Sequence, residues 1–464
     1  MATTQLQPPF QHVIDAFTVP GSTFERLVDK FIAELDEGLA VEGVMPMIPA
    51  FVYHLPSGEE TGPVLSVDFG GTNLRVCETM LKGKGEFDLK HEKWPISDEI
   101  KKGNGRVLFR WIAERIEEFL KARPTFDPSR TYPLGMTFSF PTVMEDIDVG
   151  KLLFWTKGFH GNDLVGQDIV AVLQECIDAR GLPVKVNSLI NDTVGTLLAT
   201  AYKNPSCEVG IIFGTGTNCA YQEDQSNITK IKAGAANATS PSGKQLINTE
   251  WGAFGNKSGA LPANDFDRIL DKNSSRPGMM AYEKMVSGLY ISELTRIVLQ
   301  ELALKGHLFN RKFSSREDLG RLGVKESFTG LHMGTLEGDE SPSLDAIADH
   351  FKSSYGFDTT LEERRAIKAI CSAISLRAAQ LSSVGIAAII KKRNLLDKPC
   401  KCTIGIDGSL FLKYPNFAQH LKESLYLAFG KDIVDRKVEL IPAEDGSGVG
   451  GALAAFLTSQ LKSK

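Results

Sequence analysis

At 464 residues the chain exceeds a single comfortable core, and roughly 150 residues per domain points to two or three units. Apolar residues at 42% and charged ones at 23% exclude a chain disordered throughout. Lys plus Arg number 52 against 57 Asp plus Glu, so the net charge of −5 lacks the cationic surplus that sequence-independent nucleic-acid or anionic-membrane binding needs.

The leading segment, to about Gly62, reads as helix followed by a connector rich in proline (Pro46, Pro49, Pro56, Pro63). Strand-like runs follow at 64–68, 73–81 and 87–90, separated by Gly-rich turns. An amphipathic helix spans 107–121, with Leu108, Trp111, Ile112, Ile116, Phe119 and Leu120 on one face and Pro124 beyond its end. A strand at 132–138, a helix at 163–180 closed by Gly181, a strand at 184–190 and a helix from Thr193 complete a β-β-β-α-β-α-β-α unit.

That order returns. Strands are expected at 208–213, 217–222 and 227–231, then long helices at 281–304 and 361–393. A strand at 401–407, a helix at 415–429, a strand at 438–441 and a terminal helix at 448–461 finish the second unit, while 305–359 is the least structured stretch by pattern. The repeat predicts two lobes, each a mixed sheet flanked by helices, with a ligand gripped between them. Apolar runs such as 384–390 fall short of the ~20 residues that span a bilayer. Seven cysteines without paired spacing make no disulfide framework, and residues 1–17 lack the basic start and apolar core of a signal peptide. The expectation is a protein of the reducing cytoplasm with no membrane partner.

Familiar nucleotide signals fail on context. The run 446–451 satisfies G-x-G-x-x-G after a strand, but the further strand and acidic residue of a dinucleotide site do not follow. Asp68-Phe69-Gly70 mimics a protein-kinase motif without its H-R-D partner, and G-x-x-x-x-G-K-[ST] is absent from the sequence.

Other constellations carry more. Asp68-Phe69-Gly70-Gly71-Thr72-Asn73 delivers a carboxylate from an apolar strand into a turn whose glycines let N–H groups approach an anion. There Asp68 suits a water of a Mg²⁺ shell, and Thr72 and Asn73 suit phosphate oxygens. Taken alone that turn is better read as a plain β-hairpin, but Phe213-Gly214-Thr215-Gly216-Thr217-Asn218 repeats its chemistry in the other lobe and reverses the reading. Two phosphate-contacting hairpins would grip one nucleotide from both sides. At Asn191-Asp192-Thr193 a strand ends in a carboxylate where a helix begins, which is either an ordinary N-cap or the place of a general base. Ser139 with Phe140, Thr156 with Lys157, and Glu250 each set a polar group among aromatics, as surface charges do. Gathered together, such groups suit a polyol, whose hydroxyls need donors and acceptors alike.

The strings Asp68–Arg75, Trp155-Thr156-Lys157-Gly158-Phe159, Asn191-Asp192-Thr193-Val194-Gly195, Phe213–Asn218 and Asp407-Gly408-Ser409 together resemble the hexokinase/glucokinase family, in matching order over nearly the whole chain. Glu283-Lys284-Met285-Val286-Ser287-Gly288 and Glu444-Asp445-Gly446-Ser447-Gly448 add to the resemblance. It implies an α/β, two-lobed, actin-like (ribonuclease H-like) ATPase fold with a cleft between a small lobe, 62–191 plus 447–464, and a large lobe, 1–61 plus 192–446. It implies ATP-dependent phosphorylation of a hexose, glucose first, at its 6-hydroxyl, the opening step of glycolysis, with ATP and Mg²⁺ as cofactors. Alternatives on the same fold are a broad-specificity hexokinase and a non-catalytic sugar sensor.

By the resemblance Asp192 is the catalytic base, assisted by Lys157, and Ser139, Phe140, Thr156, Lys157, Asn191, Asn218, Glu250 and Glu283 hold the sugar. Asp68, Gly70, Gly71, Thr72, Asn73, Thr215 and Gly216 match the phosphate region, with Asp68 reaching the metal through water. Ser409, Leu410, Phe411, Leu412 and Lys413 match the stretch near adenosine, and Gly446 and Ser447 open the adjoining helix. The sequence departs from the family at Gly255, where Asp is frequent, and at Gly330 and Gly334, where Thr and Ser are usual. The runs 213–221 and 45–51 look more like fungal-type glucokinases than broad hexokinases. The implied partners are a small-molecule sugar and a nucleotide, with no nucleic acid, and the chain is expected to be a monomer or weak homodimer.

Overall fold

The computed structural model describes residues 6–124, 126–231, 240–309 and 311–462. Helices α1 (Pro8–Asp15) and α2 (Gly21–Ala40) precede the short strand β1 (Ile48–Pro49). An antiparallel meander follows, β2 (Thr61–Phe69), β3 (Asn73–Gly83) and β4 (Glu86–Pro95). Next come α3 (Asp98–Lys102), α4 (Gly105–Lys121), β5 (Tyr132–Phe138), the hairpin β6 (Thr142–Asp146) and β7 (Val149–Leu152), α5 (Ile169–Asp178) and β8 (Val184–Ile190). Helix α6 (Asp192–Lys203) leads into a second meander, β9 (Cys207–Phe213), β10 (Thr217–Asp224) and β11 (Lys244–Asn248). Helices α7 (Asp265–Asn273), α8 (Ala281–Val286), α9 (Gly288–Leu304), α10 (Gly330–Glu337), α11 (Asp345–Tyr355) and α12 (Leu361–Lys392) build the bulk of the second half. The chain continues through β12 (Cys402–Asp407), α13 (Ser409–Lys413), α14 (Phe417–Phe429), α15 (Lys431–Lys437), β13 (Val438–Pro442) and α16 (Gly446–Lys462).

The two sheets repeat one plan. In the order β4-β3-β2-β5-β8, the first strand of the meander lies central and two parallel strands extend from it. The second sheet, β1-β11-β10-β9-β12-β13, does the same around β9 and adds β1 at its edge. The antiparallel pairs β2–β3, β3–β4 and β9–β10 come from short glycine turns, whereas the parallel ones need helical crossovers. Each central strand therefore points its C-terminal end, with Phe69 and Phe213, into a tight turn at the same edge of its sheet.

Helices α6 and α16 join the two sheets: α16 packs on β2, β5 and β8, while α6 packs on β9 and β10, and the helices pack on each other. Their crossing is a contact of backbones. A carbon added at Gly450 would lie 2.2 Å from the Gly195 carbonyl oxygen, and one at Gly195 would lie 2.5 Å from that of Gly446.

Several elements differ from expectation for identifiable reasons. Residues 227–231 form no strand; β11 takes the third place in the meander, and Lys230 instead donates to the carbonyls of Gly38 and Met47, each at 2.8 Å. The expected helix 281–304 breaks at extended Ser287, which frees Gly288 N–H to donate to the Gly214 carbonyl at 2.8 Å. The expected helix 163–180 begins at Ile169, because Asp163 caps another helix, accepting from Gly105 N–H at 2.7 Å and Arg106 N–H at 3.1 Å. The stretch 305–359 holds α10 and α11. Helix α12 is long and apolar enough to cross a membrane by composition alone, yet 83% of its apolar window is buried inside the protein.

The crossing yields a stability test. Gly450→Ala forces two backbones apart and should cost about 1–3 kcal/mol in denaturant unfolding, as overpacking does. Gly21→Ala, where an added carbon meets nothing within 4 Å, should leave stability within about 0.5 kcal/mol. Equal stability of the two variants would contradict the close crossing.

Candidate functional site

Asp192 stands at the junction of the halves, directly after β8 and as the first residue of α6. Asn191 caps that helix, its side-chain oxygen accepting from Thr193 N–H at 2.8 Å, which leaves the amide nitrogen as a donor. The capping reading of the sequence and the functional one thus fall on different residues: Asn191 caps, and the Asp192 carboxylate faces Ser139, whose hydroxyl donates to it at 3.1 Å.

Ser139 follows β5, and its carbonyl accepts from Lys157 Nζ at 2.7 Å. The segments carrying these residues are stiffened from behind by an aromatic cluster in which Phe140 packs on Phe69, Phe138, Trp155 and Phe159 at 4.9–5.4 Å between ring centres. The Lys157 ammonium also sits 5.0 Å from the Phe140 ring centre. The side chain as a whole is exposed, but its docked head is desolvated, and this lowers its proton affinity against the opposing pull of Asp192, Asp68 and Glu250. Thr156 precedes it and is half-buried.

The other wall comes from the second sheet. Asn218 on β10 donates to Glu250 Oε1 at 2.9 Å and accepts from Glu250 N–H at 3.1 Å. Asn248 donates to the same carboxylate oxygen at 2.9 Å. Glu283 accepts from Thr217 N–H at 3.1 Å, and Gly216 approaches so closely that an added carbon would lie 2.8 Å from Glu283 Oε2. Burial raises the proton affinity of both Glu250 and Glu283, and the hydrogen bonds they accept partly offset this. Lys157 and Glu250, one from each wall, hold left-handed backbone at φ 56° and 53°, a conformation disfavoured for side-chain-bearing residues and concentrated at functional sites.

The two hairpins carry their own internal hydrogen bonds. In the first, Gly70 N–H donates to the Asn73 carbonyl at 3.2 Å and Asn73 Nδ2 donates to Thr72 Oγ1 at 2.7 Å, while Gly71 packs against the Lys157 chain. In the second, Gly214 N–H donates to the Gly216 carbonyl at 3.0 Å. Asp68 meets Arg75 at 3.4 Å, and Arg75 is gripped by both oxygens of Asp445 at 2.8 and 2.5 Å. Asp445 also accepts from Gly448 N–H at 3.2 Å, so this N–H at the start of α16 is taken by a protein carboxylate. Gly446 and Ser447 sit at the base of the cleft, where the Ser447 carbonyl accepts from Thr137 at 2.8 Å.

Beside the second hairpin opens a cavity of about 560 Å³, lined by Thr215, Gly288, Leu289, Thr329, Leu331 and Gly334, and by Ser409, Leu410 and Lys413 of α13. Phe411 instead packs into the core, and Leu412 is exposed without lining the cavity. Gly330 and Gly334, departures in the sequence, stand on its wall. Sequence reasoning did not assign Arg75, Asp445, Asn248 and Asp407 to the site. Asp407 ends β12 beside the central strand and is raised by burial, and the repeat of strand-end carboxylates was its available signal.

Residues 9–202 and 208–457 each match a hexokinase family domain. The chain is 39% identical to a hexokinase of Emericella nidulans, over 97% of this chain and 90% of that one. It is 36% identical to a glucokinase of Aspergillus niger, over 96% and 95%. The structure is similar to that of a Schistosoma mansoni hexokinase complexed with glucose, with a TM-score of 0.82 and 33% identity over 97% of this chain and 99% of that one.

Asp68 offers a test independent of any activity. Burial raises its pKa from 3.8 to about 6, with Asp192 and Asp445 adding to the shift and Arg75 opposing it. The folded state therefore keeps a proton that the unfolded state releases, and stability falls as pH rises through that window. Asp68→Asn should be more stable than the unmodified protein at pH 7–8 by about 1–3 kcal/mol, with the gain fading toward pH 4. A pH-independent difference in denaturant unfolding would contradict this.

Proposed function

The chain belongs to the hexokinase family, sugar kinases that are phosphotransferases, and we propose that it transfers the γ-phosphoryl group of ATP to the 6-hydroxyl of glucose. The observation that carries the proposal is Asp192, a carboxylate at a strand end with Ser139 at 3.1 Å and in electrostatic reach of Lys157, Asp68 and Glu250.

Phosphoryl transfer is mostly positioning and charge. Glu250, Glu283, Asn218 and Asn191 offer acceptors and donors for sugar hydroxyls. Asp192 takes the proton of the attacking hydroxyl, and Lys157, pinned on the Ser139 carbonyl, steadies the negative charge nearby. The hairpins 70–73 and 214–216 present N–H groups to the phosphates, and the cavity beside α13 receives the base and ribose. Among the described residues no three His, Cys, Asp or Glu side chains gather to cage a metal. The oxygen donors of Asp68 and Asp407 fit Mg²⁺, a cation bound through one or two carboxylates and otherwise by water and phosphate. When bound, Mg²⁺ neutralises phosphate charge. Closure of the walls around the sugar keeps water from competing as acceptor.

Glucose preference rests on the half-buried Glu250 and Glu283. An acceptor left unpaired by fructose, whose ring differs at the anomeric end, costs about 1–3 kcal/mol. Gly255, just past Glu250, bears on how firmly that loop is held: its N–H donates to Glu34 at 3.1 Å, and its φ of 80° favours glycine. The seven cysteines are all free, with Cys400 exposed and the others buried, which suits a reducing cytosol.

Asp192→Ala should lose about 10²–10⁴-fold in turnover with a much smaller loss of glucose binding, because other residues hold the sugar. Near-normal turnover would refute the base assignment. Steady-state kinetics on both sugars should give kcat/KM for glucose at least about tenfold above that for fructose, and comparable values would make the protein a general hexokinase.

A further inference from the structure

Across the mouth of the cleft the Arg276 guanidinium lies 5.4 Å from the centre of the Phe154 ring. The two residues belong to opposite walls. Phe154 immediately precedes Trp155, Thr156 and Lys157, beyond the β7 hairpin of the first wall. Arg276 stands on the loop between α7 and α8, and α8 carries Glu283 of the second wall.

Each partner is presented rather than absorbed by its own lobe. Phe154 is 44% exposed and is not one of the rings in the cluster of Phe140, Trp155 and Phe159 behind it. The Arg276 loop is held from beneath: Lys284, buried with a side chain 5% exposed, donates to the Arg276 carbonyl at 2.7 Å and to Asp271 at 2.6 Å. Asp271 also accepts from Gly278 N–H at 3.0 Å. The Arg276 backbone is therefore anchored, and its side chain reaches the other wall. Its charge also lowers the proton affinity of half-buried Glu283, so the guanidinium is within electrostatic reach of that second-wall carboxylate.

We propose that Arg276 and Phe154 form a latch over the sugar cleft, with Arg276 a positioning residue that stabilises the closed walls without touching the reacting atoms. The proposal rests on the reading of the cleft as the sugar site. A stack of cation on ring made between two walls exists only while they are close. It contributes to sugar retention through the closed population and not through contact with the sugar. At a partly exposed site a cation–π contact of ordinary strength corresponds to about a two- to fivefold change in affinity.

A double-mutant cycle on glucose affinity, read by tryptophan fluorescence or calorimetry without ATP, tests it. Arg276→Ala and Phe154→Leu should each weaken glucose binding about two- to fivefold, and the double variant should be no weaker than the worse single. Phe154→Trp, which keeps a ring for the cation, should bind within about twofold of the unmodified protein. In Arg276→Ala, Phe154→Leu and the double variant KM for glucose should rise while kcat stays within about twofold. Unchanged affinity in either single variant, or losses that multiply in the double, would overturn the latch. An effect of Arg276→Ala alone would assign the arginine to Glu283 and not to Phe154. Failure of the unmodified protein to bind glucose would instead overturn the reading of the cleft itself.

Discussion

Burial raises the proton affinity of Asp68, Asp407, Glu250 and Glu283 around a cleft that Asp192 and Asp445 also face; Arg75 and Lys157 are cations set among them, and Arg276 and Lys284 reach Glu283. Carboxylates so placed repel one another and lack the hydration they would have in solvent. The apo protein carries that cost in its folded state. On the proposed function ligands would relieve it, sugar hydroxyls donating to the glutamates and a divalent cation with its phosphates offsetting the aspartates. The same unsatisfied charge explains why the walls are stiffened by an aromatic cluster on one side and an Asn218–Asn248–Glu250 network on the other. Preorganised charge stabilises a transition state only if the groups cannot relax away from each other.

The fold supplies the convergence by repetition. Two meanders of the same plan end their central strands in glycine hairpins at the cleft, and a strand-end carboxylate stands near each, Asp68 on β2 and Asp407 beside β9 on β12. Helices α6 and α16 touch through backbone at Gly195 and Gly450, so the two sheets approach more closely than side-chain-bearing helices allow. At that crossing Asp192 begins one helix, and Asp445, gripping Arg75 from β3, precedes the other. A strained backbone at Lys157 and Glu250 is tolerated because packing on both sides over-determines it.

Much of this was legible in the sequence, and unevenly. Strands β5 and β8 are found at the residues expected, and for β8 the short apolar run bounded by Pro183 and Asn191 leaves little choice of ends. The fragments 162–164 and 169–178 replace one expected helix because local periodicity cannot show that Asp163 caps a neighbour. The break at Ser287 is likewise tertiary, set by a hydrogen bond from Gly288 to the Gly214 carbonyl of the second hairpin. In the site, motif residues such as Ser139, Asp192, Asn218 and Glu250 converge as a cluster that the resemblance grouped. Asn248 lies in the 247–252 segment from which the sequence reading takes Glu250 alone, and the Arg75–Asp445 pair joins residues far apart in sequence, so neither role follows from spacing. Phe411 shows the converse: its neighbours Ser409 and Leu410 line the cavity, but the helical turn of α13 sends its ring into the core.

The central claim is that this carboxylate-rich cleft becomes competent only with a sugar between its walls. ATP consumption measured with and without saturating glucose, with the product's phosphate position determined, tests it most directly. The account predicts ATP turnover without sugar at a small fraction of the rate with glucose, and phosphate on the 6-oxygen. Hydrolysis of ATP at a similar rate with and without glucose, or no phosphorylated sugar at all, would contradict it.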